Sequence, residues 1–549
     1  MRHRVALFAV LFASYAYFYQ AGGWNQNSRF NLVRAIVNDH SLRVDPYHRS
    51  TGDQAVFDGH YYSDKAPGLS FTAVPIVMVG RAILQAFGGD AESYEGIALL
   101  SWLATVFTAG LFTALAAVAL FNVSVELGAT TGGALFAALT YGLATPMWPL
   151  ATLFIGHAFS AACLVFACAA ATRIGVEGGA RRLQPSDLRH GLIVGVAAGW
   201  ATVSEFPAAI PAAVLAFYAA INAWPLGRTR AIRVLGALVG GAVVSVVVLM
   251  AYQYACFGSP FHIAYSSEQA GFEAMQTGVF GIHFPNVAAL GRILFGRYRG
   301  LLPLAPVLMF APLGLIAMVR LGRVSRRCSG RPLGRPSDGL KPVAYTHVEN
   351  AVEPDATRDA TVISQDVASG FRRTFTPAAR ARHAAIVAAI IAVYYILLNA
   401  SYTYWEGGWS YGPRHLSPAI PFLCLGLAML WTISPRPARA VLAGFAAYGA
   451  ALSLVAAATM AQPPASFQRP VGELLLPAFR DGDLSLNTQR FTDSGASAPR
   501  AHVDPKAAWN LGMKAGLDGH ASLIPLAIVW LAAIAFVRRA ALSGPPMRA

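Results

Sequence analysis

Long apolar runs separated by short polar interruptions dominate the chain. Runs able to cross a bilayer, which takes about 20 residues with some tolerance, fall at 4–21, 96–121, 129–148, 154–172, 191–204, 206–224, 234–255, 301–319, 384–400, 416–433, 439–460 and 521–537. In lipid every backbone N–H and C=O must be paired within the protein, so such runs cross as helices. The pattern predicts an all-α polytopic membrane protein, one membrane domain over residues 1–549 with about 12 transmembrane helices. The run at 69–87 stands apart, with Pro75 and Arg81 near its middle. An arginine at a span centre costs about 2.5–3.5 kcal/mol on insertion scales.

Parity decides how 69–87 is read. If it lies along the interface, every arginine cluster between spans falls on one side: Arg2 and Arg4; Arg173, Arg181, Arg182 and Arg189; Arg228, Arg230 and Arg233; Arg320, Arg323, Arg326 and Arg327; Arg436 and Arg439; Arg538 and Arg539. If it crosses, the later clusters flip. The positive-inside rule favours the first arrangement, with 69–87 as an amphipathic helix on the outer face. Residues 22–95 then form a long first outer loop carrying that interfacial helix, 321–383 an inside loop and 461–520 a second outer loop. The inside loop has few large apolar residues and is expected to be disordered linker. Leu474-Leu475-Leu476-Pro477 and Ala508-Trp509-Asn510-Leu511 are expected to pack the second outer loop on the membrane domain. The N-terminal Met1-Arg2-His3-Arg4 and the apolar run behind it resemble a signal peptide, but no small-residue cleavage site follows, so the run reads as an uncleaved first span.

Composition narrows the class. Of 549 residues, 55% are hydrophobic and 13% charged, against about a quarter charged in soluble domains. The net charge of +15 comes from arginines placed between spans, where they set topology; this argues against a nucleic-acid partner. Five scattered cysteines, with no CxxC or Cys/His ligand spacing, argue against a disulfide framework and a zinc site.

Candidate chemistry gathers at the outer ends of spans. The first outer loop carries Asp39, Asp45, Asp53, Asp58 and Asp64 with Arg29, Arg34, Arg43, Arg49 and Lys65, the only lysine before position 341. Such a loop fits a site for an anionic substrate, and equally a solvated loop with ordinary surface charges. Gly156-His157, Ser204-Glu205-Phe206-Pro207, the stretch 257–262, Arg297-Tyr298-Arg299-Gly300 and the stretch 405–415 interrupt the other runs. Ionisable groups at membrane depth are costly and mark substrate paths. Plainer readings stand beside this one: His157 satisfies a carbonyl, Glu205 caps a helix begun at Pro207, Arg297 and Arg299 snorkel to headgroups, and Trp405, Trp409 and Tyr411 form an interfacial belt. Arg414 resists them. It follows Gly412-Pro413, precedes a span and lies outside, against the charge rule; its fork geometry suits a phosphate.

Several motifs in order carry a resemblance: Gln26-Asn27-Ser28-Arg29-Phe30, then His60-Tyr61-Tyr62-Ser63-Asp64-Lys65-Ala66-Pro67-Gly68, Gly156-His157-Ala158, Phe257-Gly258-Ser259-Pro260, Tyr298-Arg299-Gly300 and Gly408-Trp409-Ser410-Tyr411-Gly412-Pro413-Arg414. Together they resemble the membrane glycosyltransferases of the GT-C superfamily, in the family 39-like subgroup, near bacterial relatives of protein O-mannosyltransferases and of the lipid A aminoarabinose transferase. The resemblance covers most of the chain except the inside loop. In that family the first outer loop opens with an Asp-Glu-x-Arg-Tyr type motif and closes with a Glu-Lys-Pro-Pro type motif. Here Gln26 and Asn27 replace the acidic pair, and neither amide can act as a base.

The resemblance implies a polyprenyl-phosphate sugar donor, a lipid, glycan or protein acceptor on the outer face, and inversion at the sugar carbon. A carboxylate must take the acceptor's proton, cations must hold the phosphate leaving group, and a groove must admit the lipid tail. Asp64 is the candidate catalytic carboxylate, kept ionised by Lys65, with Asp53 and Asp58 next. Lys65 and Arg414 are the candidate phosphate ligands. Arg29, Tyr62, His157 and Tyr411 from the shared motifs, with Glu205, complete the candidate substrate-binding set. No cofactor is implied and no metal is required, although the loop aspartates leave a divalent cation open. The implied location is a bacterial inner (plasma) membrane, in contact with its lipids, with the active face periplasmic or extracellular. Two other classes compete. A transporter or lipid flippase would show internal repeats and midplane polar residues, which are not visible here. A non-catalytic membrane protein of the same fold stays open through the missing acidic pair.

Overall fold

The computed structural model describes residues 1–175, 185–268, 273–328, 377–492, 502–503 and 506–542. The central part of the inside loop, 329–376, lies outside the described residues, and so does the expectation of disorder there. The fold is an all-α polytopic membrane architecture with, among the described residues, three two-stranded ribbons. Nine helices among the described residues are long and apolar enough to cross a membrane; eight coincide with expected runs and the ninth is Gly68–Ala86.

Four expected runs form helices outside that set, each for a visible reason. Arg2–Tyr17 stops at 16 residues because Phe18–Gln20 leaves it as a strand. Thr131–Leu143 ends ahead of Pro146 and resumes as Met147–Ala151, since proline disfavours helix in the residue before it. Pro185–Ser204 carries Asp187, Arg189 and His190 in its first two turns, which lowers its hydropathy. Pro303, Pro306 and Pro312 divide the run at 301–319 into Leu301–Leu304, Pro306–Phe310 and Ala311–Cys328.

Gly156–Arg173 is the central helix: all its side chains except Phe166 and Arg173 are buried. Its many alanines let neighbouring backbones come close, the usual device for packing helices in lipid. Gly68–Ala86 differs. It buries one stripe, Leu69, Ala73, Val77 and Gly80, and exposes Met78, Val79 and Ile83. Arg81 is not bare: it pairs with Glu92 at 2.9 Å and hydrogen-bonds Asn38.

The first outer loop is a folded layer, which removes the reading of it as a solvated loop. The helix Trp24–Asp39 leads to a short 3-10 turn, Asp45–Ser50, and a hairpin of Gln54–Phe57 on His60–Ser63. Asp58 and Gly59 turn the hairpin with φ of 50° and 76°, the left-handed pair that an Asp-Gly turn supplies. The layer has its own core: Leu32, Ala35, Val44, Tyr47, Ala55 and Tyr62 pack on Tyr252, Cys256 and Phe257 at the end of the long helix Arg228–Phe257. Asp45 staples it, taking the Tyr61 N–H at 2.6 Å and His60 Nδ1 at 2.8 Å.

The second outer loop packs against this frame. Leu474, Leu475 and Ala478 are buried with Leu304, Tyr411 and Met460. Ala508–Asn510 pairs antiparallel with Phe18–Gln20, tying the two ends of the chain together. Trp509 lies between Tyr19 and Trp102, ring centroids 5.1 and 5.4 Å away.

Candidate functional site

The helix Trp24–Asp39 opens with a polar run, Asn25 to Arg29, and every member is buried. Gln26 and Asn27, which stand where the resemblance expects acids, are brackets. Gln26 Nε2 donates to the carbonyls of Gln20 (3.1 Å) and Gly22 (2.7 Å), while its Oε1 accepts from Phe154 N at 2.7 Å. Asn27 Nδ2 donates to the carbonyls of Ser50 (2.7 Å) and Arg490 (2.8 Å). An amide donates from its NH2, whereas an ionised carboxylate can only accept, so a carboxylate at either position would face carbonyl oxygens.

One turn on, Arg29 is fully enclosed. Its Nη2 meets Glu205 Oε1 at 2.6 Å, its Nη1 donates to the carbonyls of Ala66 (2.9 Å) and Ser204 (3.3 Å), and its Nε to Asn25 Oδ1 (3.2 Å). The pair sits against the start of the central helix. A side chain on Gly156 would collide with Glu205 Oε1, so glycine is what lets the carboxylate approach. His157 Nδ1 then lies 3.4 Å from the same oxygen. A negative group at a helix N-terminus is also favoured by the helix dipole.

Beside this pair lies a second one. Lys65 Nζ stands between Asp64 Oδ2 (2.6 Å) and Asp53 Oδ2 (2.9 Å). Asp64 Oδ1 accepts from Ser28 Oγ at 3.0 Å, and Ser28 Oγ is 2.8 Å from Ser63 Oγ. Lys65 thus supplies the positive charge that two adjacent carboxylates need. The sequence expectation that Lys65 would hold Asp64 below its ordinary value is reversed. Burial is the larger cause and pushes the Asp64 carboxyl up; Lys65 opposes it and Asp53 reinforces it. Burial also disfavours the charge on Lys65, but Asp53 and Asp64 more than offset that and hold its ammonium well above the usual range.

Facing both pairs is Arg414, at the start of the 3-10 turn Arg414–Ala419 that leads into a span. It lies within electrostatic reach of Asp53, Glu205, Tyr402 and Arg29. It makes no direct ion pair among the described residues, and its Nε is buried without a hydrogen-bond partner. His415 packs edge-on to His157 and to Tyr402, centroids 5.1 Å apart in each case. Nε2 of His157 and Nε2 of His415 are both buried without partners among the described residues. Glu268 reaches the cluster from another segment, with its carboxyl against that of Asp64.

Asp64, Lys65, Arg29, His157, Glu205 and Arg414 therefore converge, although residue numbers 29 to 414 separate them. Tyr62 and Tyr411 do not join them: Tyr62 packs in the hairpin's core and Tyr411 in the cluster with Leu304 and Leu475. Asp58 is exposed at the hairpin tip. Arg299 is not a headgroup anchor; it is 2% exposed and donates to the carbonyls of Glu406 and Pro463, each at 3.3 Å. Sequence reasoning missed Glu268, Tyr265, Tyr402 and Ser28. Only Ser28 had a signal, its place beside Arg29 in the first motif.

No family model and no curated protein matches the chain. Among solved structures, the chain aligns with ArnT from Cupriavidus metallidurans bound to undecaprenyl phosphate, with a TM-score of 0.43 and 17% identity, over 87% of this chain and 69% of that one. It also aligns with the archaeal oligosaccharyltransferase AglB from Archaeoglobus fulgidus in complex with an inhibitory peptide and a dolichol-phosphate, with a TM-score of 0.38 and 14% identity, over 83% of this chain and 56% of that one.

Proposed function

We propose that the chain transfers a sugar from a polyprenyl-phosphate-linked donor to a lipid, glycan or protein acceptor on the outer face of the membrane. Arg414 is the observation that carries this reading: a guanidinium at the mouth of a span, within a charged cluster, with no direct ion pair and a buried Nε left open among the described residues. A lipid phosphate emerging from the leaflet is the anion such a fork would meet. The open nitrogens of His157 and His415 lie beside it, and Lys65 adds a second cation. As the bond from sugar to phosphate breaks, negative charge builds on the phosphate, and cations already in place stabilise it. The positive-inside rule assigns this cluster to the periplasmic or extracellular side, with Gly68–Ala86 along the surface.

The test is binding of undecaprenyl phosphate to the purified protein, followed by sugar transfer from a panel of polyprenyl-phosphate sugars. Arg414→Ala should weaken binding about 10–100-fold, the worth of a lost hydrogen bond to a charged group. Arg414→Lys should weaken it less, because a point charge replaces a bidentate fork. Unchanged affinity in both variants would reduce Arg414 to a headgroup anchor. Sidedness has its own check: Asp58→Cys, at the exposed hairpin tip, should react with an impermeant thiol reagent added outside, and labelling only from inside would invert the topology.

A further inference from the structure

We infer that Glu268 is the proton acceptor of the transfer, and that Asp53, Lys65 and Asp64 form a fixed charge group that positions it. The inference rests on the transferase reading above.

Among the described residues four carboxylates meet at the site, and a base must present a free lone pair to the acceptor hydroxyl. Three of them are committed. Asp64 uses Oδ1 on Ser28 (3.0 Å) and Oδ2 on Lys65 (2.6 Å). Asp53 holds Lys65 at 2.9 Å. Glu205 holds Arg29 at 2.6 Å. A carboxylate locked to a buried cation is a weak base, and protonating it would leave that cation without compensation. Glu268 is different: among the described residues no cation pairs with its carboxyl, its Oε2 is buried with no N–H or cation bonded to it, and its close partner is the Asp64 carboxyl.

Backbone geometry brings it there. Glu268 forms an antiparallel bridge with Ala55, two residues beyond Asp53 in the strand Gln54–Phe57. The partner strand, His60–Ser63, ends directly before Asp64. The hairpin therefore holds Asp53 and Asp64 at one end and receives Glu268 at its edge. The groups facing the Glu268 carboxyl are Asp64, Lys65 and Asp53 from the hairpin side and Tyr402 from the segment after the helix Pro377–Ser401. On its own segment, Tyr265 presents its ring to Lys65 Nζ at 6.0 Å, and His262 is held by Ser267 at 2.8 Å. Burial, then the neighbouring Asp64 charge, push the Glu268 carboxyl up to about 8 against the pull of Lys65. Two carboxyls in contact do not readily ionise together, and a base of this affinity is matched to work near neutral pH.

The step balances. The acceptor hydroxyl oxygen forms a bond to the sugar's anomeric carbon while the bond from that carbon to the donor phosphate oxygen breaks. The electron pair leaves with the phosphate, beside Arg414. The hydroxyl proton passes to the Glu268 carboxyl, and the half-buried residue returns it to solvent once the product has left.

The sign of the pH dependence follows. Below about pH 8 the carboxyl is protonated and unable to accept, so transfer should rise with pH through that value. The experiment compares wild type, Glu268→Gln and Glu268→Asp, measuring undecaprenyl phosphate binding and the pH profile of sugar transfer from the donor panel. Glu268→Gln should lose transfer by about 10²–10⁴-fold, lose the rising limb and keep binding. Glu268→Asp should keep the limb, displaced, with part of the rate. If Glu268→Gln transfers normally with the limb intact, the inference is overturned while the transferase reading stands. If it loses binding and transfer together, Glu268 is structural and the inference is again overturned. If wild type neither binds undecaprenyl phosphate nor transfers sugar, the transferase reading itself fails and takes the inference with it.

Discussion

The central helix Gly156–Arg173 has buried polar groups at both ends, and the two ends are built on opposite principles. At the C-terminal end the last carbonyls lack partners within the helix, and the surroundings supply donors. Arg380 donates to the carbonyls of Thr172 (3.4 Å) and Gly175 (2.9 Å), Asn222 Nδ2 to Ala171 (2.9 Å), and Thr172 Oγ1 to Cys168 (2.8 Å). Asp187 accepts the Gly175 N–H at 2.8 Å. A cation at a helix C-terminus also suits the macrodipole. Apart from Asn222 Oδ1, this group is satisfied by the chain itself. At the N-terminal end, His157, His415 and Arg414 each keep a buried polar atom with no partner among the described residues. Protein interiors rarely leave such atoms unmatched. On the function proposed above, the difference separates polar residues that finish the fold from polar residues that would meet the donor phosphate.

The comparison can be broken most directly at the one part of the N-terminal end that is satisfied. Arg29→Ala strands Glu205 in a dry site and should cost about 3–5 kcal/mol, read as a fall in unfolding temperature and in membrane yield. A variant as stable as wild type would mean that this end of the helix does not rest on the ion pair. Next comes a matched pair of arginines. Arg380→Ala should lose about 1–3 kcal/mol of stability and leave undecaprenyl phosphate binding unchanged. Arg414→Ala should do the reverse, with near wild-type unfolding and weakened binding. If both lose stability alike, the two ends are not different in kind. Gln26→Glu sharpens the account of the missing acid. It should cost about 1–3 kcal/mol, because a carboxylate would face the carbonyls of Gln20 and Gly22, and it should bring no gain in transfer; a faster enzyme would return that position to the chemistry. The smallest effect belongs to Asp58→Asn at the hairpin tip. Asparagine tolerates the same left-handed backbone, so stability should move by under about 0.5 kcal/mol, with binding and transfer unchanged, and any loss of transfer would bring the tip into the site.

Much of the architecture was legible because lipid imposes a local rule. A span must be apolar over its own length, so the runs can be read one at a time. Four runs departed from that rule; two of them, 129–148 and 301–319, read as unbroken spans although Pro146 and the prolines at 303, 306 and 312 divide their helices. Gly68–Ala86 was harder. Its Arg81 argued against a span while unpartnered, and the partners, Glu92 and Asn38, are supplied by the fold. The site was legible in part for a similar reason. Arg414 and Lys65 stand out in one dimension, the first by breaking the charge rule and the second by being a lysine in an arginine-rich chain.

The sequence by itself determined the class of the molecule, its helical runs and the short set of ionisable residues at their outer ends, because each depends on neighbours within a turn or two. Tertiary structure decided everything that depends on who meets whom. It turned Gln26 and Asn27 into brackets by placing carbonyls around them, and it raised the Asp64 carboxyl by burying it more effectively than Lys65 could ionise it. It joined Phe18–Gln20 to Ala508–Asn510, and it delivered Glu268, in a segment with no motif, to the edge of the hairpin that ends at Asp64. A carboxylate's basicity is set by the charges and solvent around it, and no local pattern carries that information.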